Sequence, residues 1–372
     1  MITWLAALAA FVWAYLLFLH GRFWQAGPVL APPAMPLAAP PEIAVIVPAR
    51  NEAAVMEETL ASLLAQDYPR FSVILVDDES SDETGAIARA IADPRLAVIT
   101  GAARPAGWSG KLWALAQGIA ATRAPLLFFT DADILHAPNH LSALVAKLEG
   151  ERLDMVSEMV RLRATSLAER ALVPAFVFFF QMLYPFAWVN DPLKATAAAA
   201  GGSILIRARA LAGIGGIERI RGALIDDVTL ARRIKAGGRI WLGHGALAES
   251  LRPYPGLGDI WRMITRTAFV QLRFSWLLLL VTTLAMALVW LAPPALALFG
   301  HGHSRLLGGF GWVAGMIAYW PSLRRFGLSP FWALALPLIA AFYMAATLAS
   351  AFNHARGRGI AWKARAYGAG AA

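Results

Sequence analysis

The stretch LLFFTDAD, residues 126–133, decides how the rest of the chain is read. Leu126 to Thr130 form a short apolar and aromatic run, closed by the β-branched Thr130, of the kind a buried strand needs. Asp131 and Asp133 follow at once, one residue apart. Alternate carboxylates at a strand exit can share a hard divalent cation, Mg2+ or Mn2+, which then neutralises a diphosphate leaving group. An acidic surface turn would use the same letters, so the flanking sequence has to discriminate.

Outward from this stretch, strand-like runs occur at Ile43–Pro48, Phe71–Val76 and Leu96–Ile99. Helical patterns at 53–66, 82–92 and 110–122 lie between them. The alternation predicts an α/β domain with a largely parallel sheet covered on both faces. Ligands of such sheets bind at the C-terminal strand ends, and the acidic residues gather there. In VILVDDESSDET, residues 73–84, Asp77 can accept hydrogen bonds from a base or ribose. Capping of the next helix by Ser80, Ser81 or Asp82 is the plainer reading of that block. A third acidic pair, Asp226–Asp227, stands immediately before a helix expected over Val228–Lys235, which Gly237–Gly238 would end. One carboxylate there can serve as a general base toward a hydroxyl, and an N-terminal cap accounts for the pair equally well.

Smaller features surround these. Glu52 follows the turn after VIVPARN and can face a nucleotide or offset a helix dipole. Lys111 in GWSGKLWAL can place a cation beside phosphates, but Leu112 follows it and Pro105 precedes, so the P-loop arrangement is absent. Gly201–Gly202–Ser203 permits close backbone approach or a simple turn. Arg262 and Arg266 can hold a leaving phosphate or snorkel toward lipid headgroups. His136, His140 and His244 lack metal-ligand spacing and read as structural or solvated. A serine-hydrolase elbow is absent, and the first strand does not lead into a dinucleotide fingerprint.

The chain has 372 residues, 58% of them hydrophobic, a mean hydropathy of +0.56, fourteen tryptophans and no cysteine. The apolar excess collects at the N-terminus and after about position 275, and tryptophan suits membrane interfaces. The net charge of +9 comes without a long basic tract or a nucleic-acid-reading module. Many basic residues instead flank hydrophobic segments, which fits anionic lipid headgroups and excludes nucleic acid as the expected partner. The expected organisation is a transmembrane anchor over 1–20, a Pro/Ala-rich linker over 21–42, a globular domain over 43–270, a transmembrane region over 271–354 and a basic tail over 355–372. An uncleaved anchor fits better than a signal peptide, because no basic residue precedes the apolar run while Arg22 follows it. Ala171–Val189 reads as an interfacial or acceptor-side helix. Trp276–Leu298, Leu306–Trp320 and Phe331–Phe352 are the C-terminal candidates, the second short for a crossing. With the domain in the cytoplasm of a bacterial cell, three crossings would leave Arg356–Arg365 outside, against the positive-inside tendency; an even number would not.

In order and approximate spacing, VIVPARNE, VDDESSDET, SGK at 109–111, TDAD at 130–133, GGS at 201–203 and IDDVTLARRIKAGG at 225–238 resemble the family 2 glycosyltransferases of the GT-A fold. The resemblance spans about 43–270 and implies a UDP- or GDP-sugar donor. By position it implies that Glu52 and Asp77 line the nucleoside site, with Lys111 near the base or diphosphate. Asp131 and Asp133 would form the metal–diphosphate site, and Asp227 would be the catalytic base. Asp226 stands where the family usually has Glu. The processive polysaccharide synthases carry Gln-x-x-Arg-Trp, whereas this chain has Met263 and Thr267 around Arg266. The layout is most similar to membrane glycosyltransferases associated with hopanoid biosynthesis, which implies a hopanoid or other terpenoid lipid acceptor and an inverting displacement. A processive synthase, a polyprenyl-phosphate sugar transferase, a noncatalytic scaffold and a transporter are the competing readings.

Overall fold

The computed structural model describes residues 2–25, 27–32, 39–357, 361–362 and 365–366. In chain order the first elements are α1 (Ile2–Phe18), β1 (Ile43–Ala49), α2 (Ala53–Leu64), β2 (Phe71–Asp77), α3 (Thr84–Ala90), β3 (Leu96–Thr100), α4 (Gly110–Ala120) and β4 (Leu126–Thr130). Next come β5 (Ile134–His136), α5 (His140–Gly150), β6 (Met155–Arg161), α6 (Leu167–Leu183), α7 (Phe186–Asn190), β7 (Ser203–Arg207) and α8 (Ala208–Gly213). The chain continues with α9 (Asp226–Lys235), β8 (Ile240–Ser250), α10 (Leu257–Gln271), α11 (Trp276–Met286), α12 (Ala292–Phe299), α13 (Gly302–Arg325) and α14 (Leu336–Ala355). These elements divide into an α/β unit, Pro28–Leu162 with Trp188–Arg252, and a helical unit, Met1–Gly27 with Arg163–Ala187 and Pro253–Ile360.

The α/β unit holds an eight-stranded sheet in the order β3-β2-β1-β4-β7-β6-β8-β5. All seven residues of β1 and all five of β4 are buried, as expected of strands covered on both faces. The edge strand β3 is only partly buried. Helix α4 begins at Ser109, whose hydroxyl accepts the Leu112 N–H at 3.3 Å. It crosses β1 at Gly118, where a Cβ would stand 2.4 Å from Ile46 Cγ2. The β1–β4 ladder runs from Ile43–Leu126 to Ile46–Phe129. Strand order reverses between these two, and their C-terminal ends form the crevice typical of a switch point.

The sheet is mixed, not largely parallel. β1 to β4 run parallel, but β7 is antiparallel to both β4 and β6. The cause is connectivity: the chain leaves the unit after Leu162 and returns at Trp188, with no crossover helix bringing it to the opposite end of the sheet. β7 therefore starts where β4 stops, with Ser203 opposite Thr130. That course sets Gly201–Gly202 beside the TDAD turn. Residues assigned to the linker also join the unit: Leu30 is buried, and its N–H donates to the His244 carbonyl at 3.0 Å.

Among the described residues, two stretches of the helical unit are long and apolar enough to cross a membrane. Trp276–Phe299 has 24 residues and Pro330–Ala355 has 26. α1 is a shorter apolar helix. The segment read as short from sequence is a helix of 24 residues, α13, lengthened by polar and glycine-rich turns at both ends. The first span carries a π-turn at Ala287–Leu291, just before Pro293 and Pro294. Pro293 has no N–H to offer the carbonyl four residues earlier. That carbonyl, of Val289, accepts the Trp13 indole N–H at 2.8 Å. Gly311 and Gly315 admit the Trp13 ring, since a Cβ at either would lie 3.1–3.2 Å from it. Helix α6 starts with a Ser166–Glu169 capping box and buries Phe178 and Phe179 against Tyr319 and Tyr343.

Candidate active site

The C-terminal ends of β1 and β4, together with the first turn of α9, bring five carboxylates to two cations. Lys111, in the first turn of α4, lies 2.7 Å from Asp131 and 3.8 Å from Asp226. Asp227 belongs to the same group: its Oδ2 accepts the Gly201 N–H at 3.0 Å, and its Oδ1 the Val228 N–H at 2.7 Å. Lys111 Nζ also reaches the Gly201 carbonyl at 3.5 Å. A Cβ on Gly201 would stand 3.1 Å from Lys111 Nζ and 3.4 Å from Asp227 Oδ2, so the turn backbone packs closely on both groups. Lys111, Gly201, Asp226 and Asp227 line one small depression, floored by Phe129 and Leu230.

Asp226 and Asp227 do not precede the helix; they are its first two residues, behind Ile225. Neither therefore caps it from outside, and both sit at the positive end of the α9 dipole. Burial, followed by the charge of Asp226, nevertheless raises the Asp227 pKa to about 7, against the opposing pull of Lys111 and the two N–H groups. Burial works against the Lys111 ammonium, but Asp131 and Asp226 more than offset it and hold its pKa above the ordinary lysine range. An acid tuned near neutrality can both take and release a proton at working pH.

The second cation was not anticipated. Arg252, two residues past β8, donates from Nε to Asp133 Oδ2 at 2.6 Å and from Nη2 to Glu52 Oε1 at 2.7 Å. Its position in the irregular stretch RPYPG carries no local signal of this role. The Leu251 N–H donates to the Asp133 carbonyl at 2.7 Å, tying the β8 exit to the TDAD turn. Asp77 closes β2, its Oδ1 accepting the Ser80 N–H at 3.1 Å. Its carboxylate faces Gly85, where a Cβ would fall 2.2 Å from Oδ2. The N-cap position of α3 is Glu83, which makes no side-chain cap bond; Asp82 beside it accepts the N–H groups of Thr84 and Ala53, the first residues of α3 and α2. Arg266 is exposed on α10 in the helical unit.

Among the described residues, no group of three or more His, Asp or Glu is arranged to hold a metal ion. What the turn offers is two carboxylates one residue apart, Asp131 with its side chain 38% exposed, each engaged by a cationic side chain. Hard oxygen donors of this kind suit Mg2+ or Mn2+, ions that take one or two carboxylates and fill the remaining positions with substrate phosphate and water. The residues thus fit a divalent ion that arrives with a diphosphate.

Residues 44–213 match the family described as Glycosyl transferase family 2. The succinoglycan biosynthesis protein ExoO of Rhizobium meliloti (strain 1021) is 34% identical over 142 residues, 36% of this chain and 40% of that protein. The 4,4'-diaponeurosporenoate glycosyltransferase of Staphylococcus haemolyticus (strain JCSC1435) is 36% identical over 104 residues, 28% of this chain and 27% of that protein. The chain thus spans less than half the length of these curated relatives. A solved mannosyltransferase from Pyrobaculum calidifontis, in complex with GDP-Man and Mn2+, covers 95% of this chain and 99% of its own at a TM-score of 0.61 and 20% identity. That likeness is one of fold, a mixed α/β arrangement consistent with GT-A.

Proposed function

We propose, from the premise that residues 44–213 are a family 2 glycosyl transferase domain, that the protein is a membrane-bound inverting enzyme moving a hexose from a nucleotide-diphosphate sugar to a lipid hydroxyl. The observation that carries the reading is the grouping of Asp227, Asp226, Lys111 and Asp131 around the Gly201 turn. Asp227 takes the acceptor hydroxyl proton as that oxygen bonds to the anomeric carbon. The bond from this carbon to the diphosphate oxygen breaks on the opposite face, and the nucleoside diphosphate leaves with the electron pair. Lys111 sits where it can meet the negative charge that builds there. Asp131 and Asp133 would hold a divalent cation, which supplies Lewis-acid stabilisation of the diphosphate when bound. Glu52 and Asp77 would face the nucleoside, and Arg266 a phosphate; Asp226 supports Asp227.

In this reading the catalytic domain runs over 43–270 in sequence, with an anchor over 1–20, a linker over 21–42 whose Leu30 packs into the α/β unit, a transmembrane region over 271–354 and a basic tail over 355–372. Two span-length apolar helices support attachment to the bacterial inner membrane, with the catalytic domain on the cytoplasmic side and more than one crossing. A relative named for glycosylating 4,4'-diaponeurosporenoate supports a lipid-like acceptor, and a hopanoid or related terpenoid is the acceptor favoured by the sequence resemblance.

Purified protein given Mn2+ or Mg2+, labelled UDP- and GDP-sugars and total membrane lipid should label a discrete lipid, with inverted anomeric configuration, and Asp227→Asn should not. Label in a long polymer would replace this reading with a processive synthase, and label on a lipid phosphate with a polyprenyl-phosphate transferase. Full activity in Asp227→Asn would remove Asp227 as the base.

A further inference from the structure

His136 and His140 are not solvated: they are 4% and 0% exposed. With Glu158 and Thr130 they form one buried string. Glu158 on β6 pairs with His140 Nε2. His140 Nδ1 lies 2.9 Å from His136 Nδ1, and His136 Nε2 lies 3.1 Å from Thr130 Oγ1. Thr130 Oγ1 is 2.9 Å from the Gly202 carbonyl oxygen. The two imidazoles stack with centroids 5.0 Å apart, and Phe128 meets both edge-on.

A proton count gives the string a direction. A carbonyl oxygen only accepts, so the Thr130 hydroxyl donates to Gly202. Thr130 Oγ1 must then accept from His136, which places the hydrogen on His136 Nε2. Burial, followed by His140, pushes the His136 pKa well below the ordinary imidazole range, in keeping with a neutral ring whose Nδ1 is bare. His140 Nδ1 is therefore the donor between the rings. Beyond it, Glu158 lies in ion-pair contact with His140 Nε2 but is not aligned for a hydrogen bond.

The string ends on the turn that holds the candidate base. Gly202 follows Gly201, whose N–H donates to Asp227 Oδ2 at 3.0 Å. Ser157 of β6 braces the same turn, accepting the Ala200 N–H at 2.9 Å and donating to the Ser203 carbonyl at 3.0 Å. We propose that His140, His136 and Thr130 are positioning residues, a buried hydrogen-bonded string with Glu158 in ion-pair contact at its far end, which sets the Gly201–Gly202 turn and, through the Gly201 amide, aims the Asp227 carboxylate. Its catalytic part rests on the reading of Asp227 as base; its structural part does not.

The test uses the full-length protein in detergent, labelled with 15N-histidine and 15N-glycine, in four forms. Thr130→Val removes the hydroxyl and keeps the strand-favouring shape; Thr130→Ser restores it. Glu158→Gln keeps a side chain that can donate to His140 Nε2. In Thr130→Val the His136 ring N–H and the Gly201 amide resonances should both move. kcat should fall about tenfold or more while the donor Kd stays within about twofold. Thr130→Ser and Glu158→Gln should keep both resonances and the wild-type kcat. Unmoved Gly201 resonances in Thr130→Val would overturn the inference, as would equal loss of kcat in Thr130→Ser. If even wild type transferred no sugar, the functional reading would fail while the resonances still decided whether the string sets the turn.

Discussion

The five carboxylates of the site fall into two halves built differently. On one side three of them, Asp131, Asp226 and Asp227, surround the single ammonium of Lys111. On the other, Glu52 and Asp133 share the fork of Arg252. The two cations differ in exposure: the Lys111 side chain is 19% exposed and anchored in a helix first turn, whereas Arg252 is 34% exposed and lies in an irregular stretch past β8. An enclosed cation outnumbered by acids changes their protonation, whereas a solvated fork mainly sets their spacing. The first half is thus suited to proton transfer and the second to holding a donor.

That contrast can be broken by substitution. The largest effect should come from Asp227→Asn, which removes a general base and should lower kcat by about 10²–10⁴-fold with donor affinity unchanged. Equal losses in kcat and donor binding would contradict the division. Lys111→Met should come next. Without the ammonium, Asp227 gains protons more readily, so the rise of kcat with pH should move above its wild-type position near pH 7. Asp226→Asn should move the same rise below pH 7, because it removes a like charge. Titrating kcat over pH 5–9 separates the two by sign. Arg252→Gln should raise the donor Kd about tenfold and leave the pH profile in place, measured by nucleotide-sugar titration. The smallest change should be Gly201→Ala, a few-fold drop in kcat, since the Lys111 end it meets at 3.1 Å is flexible.

Stability should follow the same acid. The folded-state pKa of Asp227 lies above the ordinary 3.8, so the folded protein binds more protons than the unfolded chain between about pH 4 and 7. Its contribution to stability is therefore largest below that window and declines as pH rises through it. Asp227→Asn should flatten this part of a pH–Tm curve.

Much of this was legible because it is local. LLFFT announces a buried strand by itself, and TDAD, GKL and IDD stand within a residue or two of the elements that carry them. What escaped depends on partners far apart in the chain. Arg252 meets Asp133 across 119 positions and Glu52 across 200. The antiparallel course of β7 is set by the excursion over 163–187 rather than by its residues. His136 and His140 show only a four-residue spacing, and nothing nearby points to Glu158 or Thr130. The start of α9 slipped by two residues because acids at N1 and N2 look like caps in sequence.

Trp13 gives the N-terminal helix an identity beyond its greasiness. Its indole occupies the carbonyl that Pro293 strips of an intrahelical partner. In a hydrocarbon setting, a bare carbonyl has no water to turn to. Exchanging this helix for another anchor of equal length and apolarity would keep a tether but uncover that oxygen. α1 and the proline-broken span are thus matched parts, and chimaeras of this protein should carry them across together.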